Sequence, residues 1–209
     1  VVNALSSSLE VNVFKNSKKY SQKYSKGKVK TKVKIEKCKK NEKGTQIIFF
    51  PDETIFETTK FSPKKLYEFI KMKAVLVSGT SIDFKIDKEL IVDSTPSYEK
   101  FYFKNGIADY LDIKNKNSAK LFDKQFSIVN KINDTEKCEI FISFNQSEKS
   151  SLISFCNTIE TPDGGSHENG FKNGIIKAIK LYGQKNQVAK ISNININDLT
   201  DYSDIVISI

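Results

Sequence analysis

Residues 156–180 read CNTIETPDGGSHENGFKNGIIKAIK, and this stretch organises the second half of the 209-residue chain. Pro162-Asp163-Gly164-Gly165 is a turn: two glycines permit backbone that side-chain-bearing residues resist. Ser166 is placed to cap the exposed N–H groups of a helix running to about Gln184. Phe171, Ile175, Ile179 and Tyr182 recur at helical spacing and predict one apolar stripe facing a core. His167 falls in the first turn of that helix. It has no Cys or second His at ligand spacing, so its structural reading outweighs a metal ligand or a general base. The turn lacks the Gly-Lys-Ser/Thr ending of a phosphate loop.

Outward from this helix, the pattern alternates strands and helices. Residues 204–209 are almost wholly apolar and predict a central strand. Residues 126–132 predict a strand. Residues 138–145 and 152–157 predict a hairpin closing around 146–150. A strand at 100–103 and a helix over 106–113, with Ile107, Tyr110 and Leu111 on one face, precede them. Residues 93–97 (DSTPS) read as a linker, which divides the chain into 1–97 and 98–209.

In the first half, residues 1–5 read as the tail of a helix. Residues 10–14 and 19–24 read as strands joined by an Asn16-Ser17 turn, with Gly27 ending the second. Residues 28–34 alternate Lys with Val or Thr and predict a lysine-guarded edge strand. Residues 45–50 (TQIIFF) form a short apolar run suited to a buried strand. Ser62-Pro63 starts a helix that Gly79 closes. Residues 81–87 and 89–93 predict a second hairpin. Strands and helices in two blocks give an α+β, or mixed α/β, chain of two domains.

Charge separates the blocks. Residues 1–97 hold 20 Lys against 11 acidic residues, and 98–209 hold 14 of each. Residues 15–43 alone hold 13 Lys and two acids. Such a stripe suits DNA phosphates, or it is simply a solvated hairpin. The chain contains no arginine, so any phosphate contact is a point-charge contact rather than a guanidinium fork. Cys38, Cys138 and Cys156 are odd in number and form no CxxC pair, which points to small apolar fillers in a reducing compartment. No apolar run is long enough for a membrane span, and residues 1–10 do not read as a signal peptide.

Three segments in register resemble one family: VVNALS at 1–6, KGTQIIFFPDETIF at 43–56 with the helix ending KMKAVLVSG at 71–79, and the 156–180 stretch. Together they resemble the N-terminal half of the ATPase (B) subunits of bacterial type II DNA topoisomerases. PDETIF and KMKAVL look more like topoisomerase IV than gyrase. The resemblance implies that 1–97 is the later part of a GHKL-type ATPase domain. It implies that 98–209 is most of the transducer domain, a βαβ-like layer.

The same resemblance implies a set of roles. Gly44 and Thr45 match a Gly-Thr pair whose hydroxyl joins a water network at the adenine end of the nucleotide. Ile47 would line the adenine pocket. Lys15 stands where the family usually has arginine at the pocket mouth, which puts stacking there in doubt. In the family, the water-activating Glu, the magnesium-holding Asn, the adenine-reading Asp and the glycine lid lie upstream of VVNALS. Its catalytic-site Lys lies on a Gln-Thr-Lys loop after the strand matched by IVISI. No catalytic or metal-ligating residue is therefore expected within 1–209, and this segment is expected neither to bind ATP well nor to hydrolyse it alone. The complete subunit is expected to use ATP and Mg²⁺, dimerise, pair with a DNA-cleaving A-type subunit, and act on DNA in the cytoplasm or an organelle of bacterial origin. The competing readings are a stand-alone basic DNA-binding module and an unrelated protein sharing only the second domain's fold.

Overall fold

The computed structural model describes residues 1–131, 133–146 and 150–209. It divides into two compact units, Val1–Ser62 and Pro63–Ile209. Among the described residues, no helix is long and apolar enough to cross a membrane.

The first unit is one antiparallel sheet. β1 (Ser6–Lys15) and β2 (Lys18–Ser25) are followed by β3 (Lys28–Val29), β4 (Lys34–Lys37) and β5 (Gly44–Pro51). The order is β3-β2-β1-β5, with β4 also on β2. Asn16 and Ser17 turn the β1–β2 hairpin with φ of 54° and 58°. Two positive φ values match the twist of the flanking strands. Lys26-Gly27 makes the same kind of two-residue turn into β3, with φ of 49° and 78°. The helix tail expected at 1–5 is a single turn, closed by the Leu5 N–H donating to the Val1 carbonyl at 3.2 Å.

Two expectations for this unit are corrected. The edge strand expected over 28–34 is two short strands interrupted between 30 and 33. There the Thr31 hydroxyl accepts from the Lys23 N–H at 3.0 Å, so a side chain replaces a ladder carbonyl. The 45–50 run does form a strand, but β5 sits at the end of the sheet path instead of being buried. Ile47 is 58% exposed and Phe50 62%. An apolar run signals capacity for burial; whether a partner layer covers it is decided by tertiary structure.

The second unit begins with α1 (Pro63–Leu76), opened by a proline whose missing N–H costs nothing at a first helical position. β6 (Ser81–Lys85) pairs with β7 (Tyr98–Tyr102), and α2 (Ile107–Lys114) follows. Then come β8 (Phe126–Lys131), β9 (Lys137–Phe144), β10 (Ser151–Cys156) and β11 (Ile159–Glu160). α3 (Ser166–Lys185), α4 (Ile196–Thr200) and β12 (Ser203–Ser208) complete it. The five-stranded sheet is ordered β11-β10-β12-β9-β8.

The hairpin expected between 138–145 and 152–157 is replaced by an insertion. β12 enters between β9 and β10, antiparallel to the first and parallel to the second. Ile205, Val206 and Ile207 are all at most 1% exposed, so the most apolar strand takes the doubly covered central place. Part of the expected connecting turn, 147–149, and the last residue of the strand expected at 126–132 lie outside the described residues. The hairpin expected from 81–87 and 89–93 is also revised. β6 pairs with β7, and 88–90 is a 3₁₀ turn. Asp87 and Asp93 each turn the chain locally, their side chains accepting from the Glu89 and Thr95 N–H groups at 3.2 and 2.8 Å. The DSTPS stretch thus lies inside the second unit, within the β6–β7 connection, while the compact units part at 62/63.

Strand alternation gives the sheet two packed faces. Phe155 and Val206 join Ala74 and Val75 of α1 with Ile107 and Leu111 of α2. Ile142, Ile205 and Ile207 meet Phe171 and Ile175 of α3 on the other side. Each such Val, Leu, Ile or Phe side chain, fully buried, contributes about 1.5–3 kcal/mol. The stripe expected on α3 holds at Phe171 and Ile175 but not at Tyr182, which is 70% exposed. Gly183 takes the inward place instead, because Ile191 crosses the helix there. A Cβ on Gly183 would lie 2.1 Å from Ile191 Cγ1.

Tyr67 on α1 ties helix to hairpin. Its hydroxyl donates to Glu99 Oε2 at 2.6 Å, and its ring meets Phe84 and Phe101 edge-on. Burial, then the Glu99 carboxylate, push its phenol up to about 12 from 10.0. A raised folded pKa gives stability that is whole below the unfolded value and lost as pH rises through the folded one. We therefore expect the urea midpoint to fall between pH 10 and 12, and to fall less steeply in Tyr67→Phe. Equal slopes in the two proteins would contradict this.

Candidate functional site

The register of the first sheet decides which side chains share a surface. Val13 stands opposite Thr45, Val11 opposite Ile47 and Leu9 opposite Phe49. Directly opposed residues point to the same face, as do residues two apart along a strand. Lys15, two residues beyond Val13, therefore shares a face with Thr45 and Ile47. The structure thus brings Lys15, Thr45 and Ile47 together on one side of β1 and β5, and it leaves all three exposed.

Gly44 opens β5 with φ of 125°, and a Cβ there would meet nothing within 4 Å. Its role in this site is conformational: that φ suits glycine, and the absent side chain leaves open backbone beside Thr45. Thr45 offers a hydroxyl that donates or accepts. Ile47 offers an apolar wall, and Lys15 a point charge at the strand end. Two residues past Ile47, Phe49 borders a cavity of about 250 Å³ lined also by Val1, Leu5, Pro51, Phe56 and Phe61. Phe49 and Phe61 pack edge-on there at 6.1 Å. The polar end of the face at Thr45 thus grades into an apolar recess.

The DGGSH turn has a different character. Thr161 Oγ1 donates to the Ser154 carbonyl at 3.0 Å and lies 3.2 Å from His167 Nε2. Glu168 Oε1 accepts from Lys172 Nζ at 2.5 Å, and Ser154 Oγ donates to Glu168 Oε2 at 3.3 Å. The network fastens the start of α3 to β10. The expected Ser166 cap is corrected. Gly165 holds the cap position without a side-chain bond, and Ser166 is the first helical residue. A Cβ at Gly165 would lie 2.8 Å from His167 Cε1, so the imidazole itself fills the space beside the cap. Among the described residues, no group of three or more His, Cys, Asp or Glu is arranged to hold a metal.

Sequence reasoning missed one buried ionic cluster. Asp204 Oδ1 accepts from Lys114 Nζ and from Ser151 Oγ, both at 2.6 Å, and its Oδ2 accepts from Asn145 Nδ2 at 3.2 Å. Lys114 Nζ also donates to Ser151 Oγ. An aspartate one residue before an apolar strand core was the available signal, since a buried carboxylate requires a partner.

Known proteins of similar sequence and fold agree on a single family. The family model for DNA gyrase B matches residues 106–209. The B subunit of DNA topoisomerase 4 from Rickettsia felis is 39% identical across the whole of this chain, which spans 32% of that protein. The B subunit of DNA gyrase from Mycoplasma genitalium is 31% identical, again across the whole chain and 33% of the relative. The 43K ATPase domain of Thermus thermophilus gyrase B superposes with a TM-score of 0.74 at 25% identity, covering 99% of this chain and 56% of that one. The topoisomerase IV ATP-binding domain of Francisella tularensis gives 0.73 at 29% identity, covering 99% and 55%. The chain belongs to the gyrase B family, the B subunits of type II DNA topoisomerases. The topoisomerase IV relatives from Rickettsia, at 37–39% identity, stand above the Mycoplasma gyrase at 31%.

Proposed function

We propose that residues 1–209 form part of the ATP-binding subunit of an ATP-dependent type II topoisomerase of the topoisomerase IV kind, which passes one DNA duplex through another. The single observation that supports this best is the unbroken 39% identity to a topoisomerase IV B subunit across the whole chain. On this reading, 1–97 is the later part of the GHKL ATPase domain and 98–209 is transducer. The family match beginning at residue 106 agrees with the second assignment. The complete subunit uses ATP and Mg²⁺, dimerises, and works with an A-type, DNA-cleaving partner in the cytoplasm.

Gly44, Thr45, Ile47 and Lys15 border the adenine end of the nucleotide. Thr45 positions water with its hydroxyl, Ile47 packs on the flat base, and Gly44 lets backbone approach. Lys15 supplies charge at the mouth without the stacking that a guanidinium gives. No residue of this segment is assigned a role in bond-making or bond-breaking.

The test is a segment exchange. The matching stretch of the Rickettsia felis protein is replaced by residues 1–209 and assayed with its A-type partner. Thr45→Ala in the exchanged protein removes one hydrogen bond worth about 0.5–1.5 kcal/mol, so KM for ATP is expected to rise about three- to tenfold. An unchanged KM would remove Thr45 from the nucleotide site.

A further inference from the structure

The first unit carries a charge excess that its place beside a nucleotide does not use. Residues 1–62 hold 14 Lys against six acidic residues. The excess is concentrated on the outer edge of β2. There β3 and β4 pair in succession, so 28–37 runs as one interrupted outer strand. Lys28, Lys30, Lys32 and Lys34 are spaced at every second residue along it, and all are exposed. Lys34 is paired with Glu36 at 2.8 Å, whereas among the described residues Lys28, Lys30 and Lys32 meet no carboxylate at ion-pair distance.

Register sorts the two faces. Lys34 stands opposite Ser21 and Lys28 opposite Ser25, which places both on the face of Lys19 and Lys23. Tyr20, Tyr24, Val29 and Ile35 fall on the other face by the same register. Across β2 and the outer strand the lysine face carries no apolar or aromatic side chain; Phe14 stands beside Lys19 on β1, Lys23 pairs with Glu10 at 3.4 Å, and Ile48 and Phe50 share the face on β5, two strands away from the lysine edge. The lysine face has no arginine to read base edges.

We propose that the outer strand at residues 28–34, with Lys19 and Lys23 beside it, is a contact surface for the phosphate backbone of duplex DNA, independent of base sequence. The choice of duplex DNA rests on the reading of the chain as part of a DNA-acting subunit; the charge geometry does not.

The whole 209-residue chain is titrated against a fluorescent 30-base-pair duplex at salt concentrations from about 50 to 200 mM, the range over which phosphate contacts are read out. The variant Lys28→Gln/Lys30→Gln/Lys32→Gln/Lys34→Gln is compared with Lys116→Gln/Lys124→Gln/Lys177→Gln/Lys185→Gln, which lowers net charge equally in the second unit. Each lost phosphate contact reduces the slope of log K against log salt by about 0.9, so the first variant, with four lysines removed, should lose about 3.6 units of slope and at least about thirtyfold in affinity at 100 mM. The second should stay within about threefold, because diffuse charge lacks the contacts. Equal losses in both variants would overturn the proposal. So would phosphatidylserine vesicles competing as well as unlabelled duplex for the labelled probe. Activity of the segment exchange is read separately, so failure of the DNA surface and failure of the subunit assignment leave different results.

Discussion

Lys114→Met is expected to destabilise the second unit by about 3–5 kcal/mol in urea unfolding. The Asp204 side chain is 2% exposed, and its pairing with Lys114 brings together residues far apart in the chain. Removing the ammonium leaves a carboxylate in a dry site with, among the described residues, the Ser151 hydroxyl and the Asn145 amide as its side-chain donors. The magnitude comes from desolvation of the remaining charge, not from the attraction lost. The two partners are therefore unequal. Lys114 is 32% exposed, so in Asp204→Asn its ammonium reaches water, and we expect about 1–2 kcal/mol. Replacing both, as Lys114→Met/Asp204→Leu, should restore most of the loss, because an apolar pair needs no compensation. A Lys114→Met protein within about 0.5 kcal/mol of the parent, the range of ordinary surface changes, would show that the cluster does not hold β10 and β12 together.

Gly106→Ala should be comparably costly, for a local reason. Gly106 has φ of 59° and ψ of −119°, a conformation that L side chains avoid. A Cβ there would lie 2.8 Å from the Val75 carbonyl oxygen and 3.1 Å from Ser78 Cβ. Backbone strain of about 1–3 kcal/mol adds to a clash with main chain that cannot swing away. The reduced freedom of the unfolded chain returns only about 0.4–1 kcal/mol. We expect a net loss of about 2–4 kcal/mol from these terms. Gly174→Ala is the opposing control. It lies inside α3 with nothing within 4 Å of a Cβ, and should gain about 0.5–1 kcal/mol. Similar shifts in both proteins would remove the steric argument.

The parts of this fold that were legible in the sequence are those decided over a few residues. The Asn16-Ser17 turn, the Pro63 helix start and the Phe171–Ile175 face each depend on local chemistry, and each stands where expected. The IVISI strand was legible for a second reason: a segment with no polar face has only the centre of a sheet to occupy. What was not legible is non-local. Nothing in 138–157 announces that a strand some fifty residues later will part β9 from β10. Nothing in TQIIFF says whether either face will be covered. Tyr182 was misassigned because periodicity could not know that Ile191 would cross the helix at Gly183. At the candidate site, the common face of Thr45 and Ile47 followed from their two-residue spacing, while the addition of Lys15 needed the β1–β5 register. Their proposed roles came from family resemblance and not from spacing.

The most direct measurement of the central claim is ATP-dependent decatenation of linked DNA circles by the segment-exchanged Rickettsia felis protein with its A-type partner. If residues 1–209 are a working part of a topoisomerase IV B subunit, the exchanged enzyme separates the circles with ATP and not without it. A folded, dimeric exchanged protein that hydrolyses no ATP and leaves the circles linked would contradict the account.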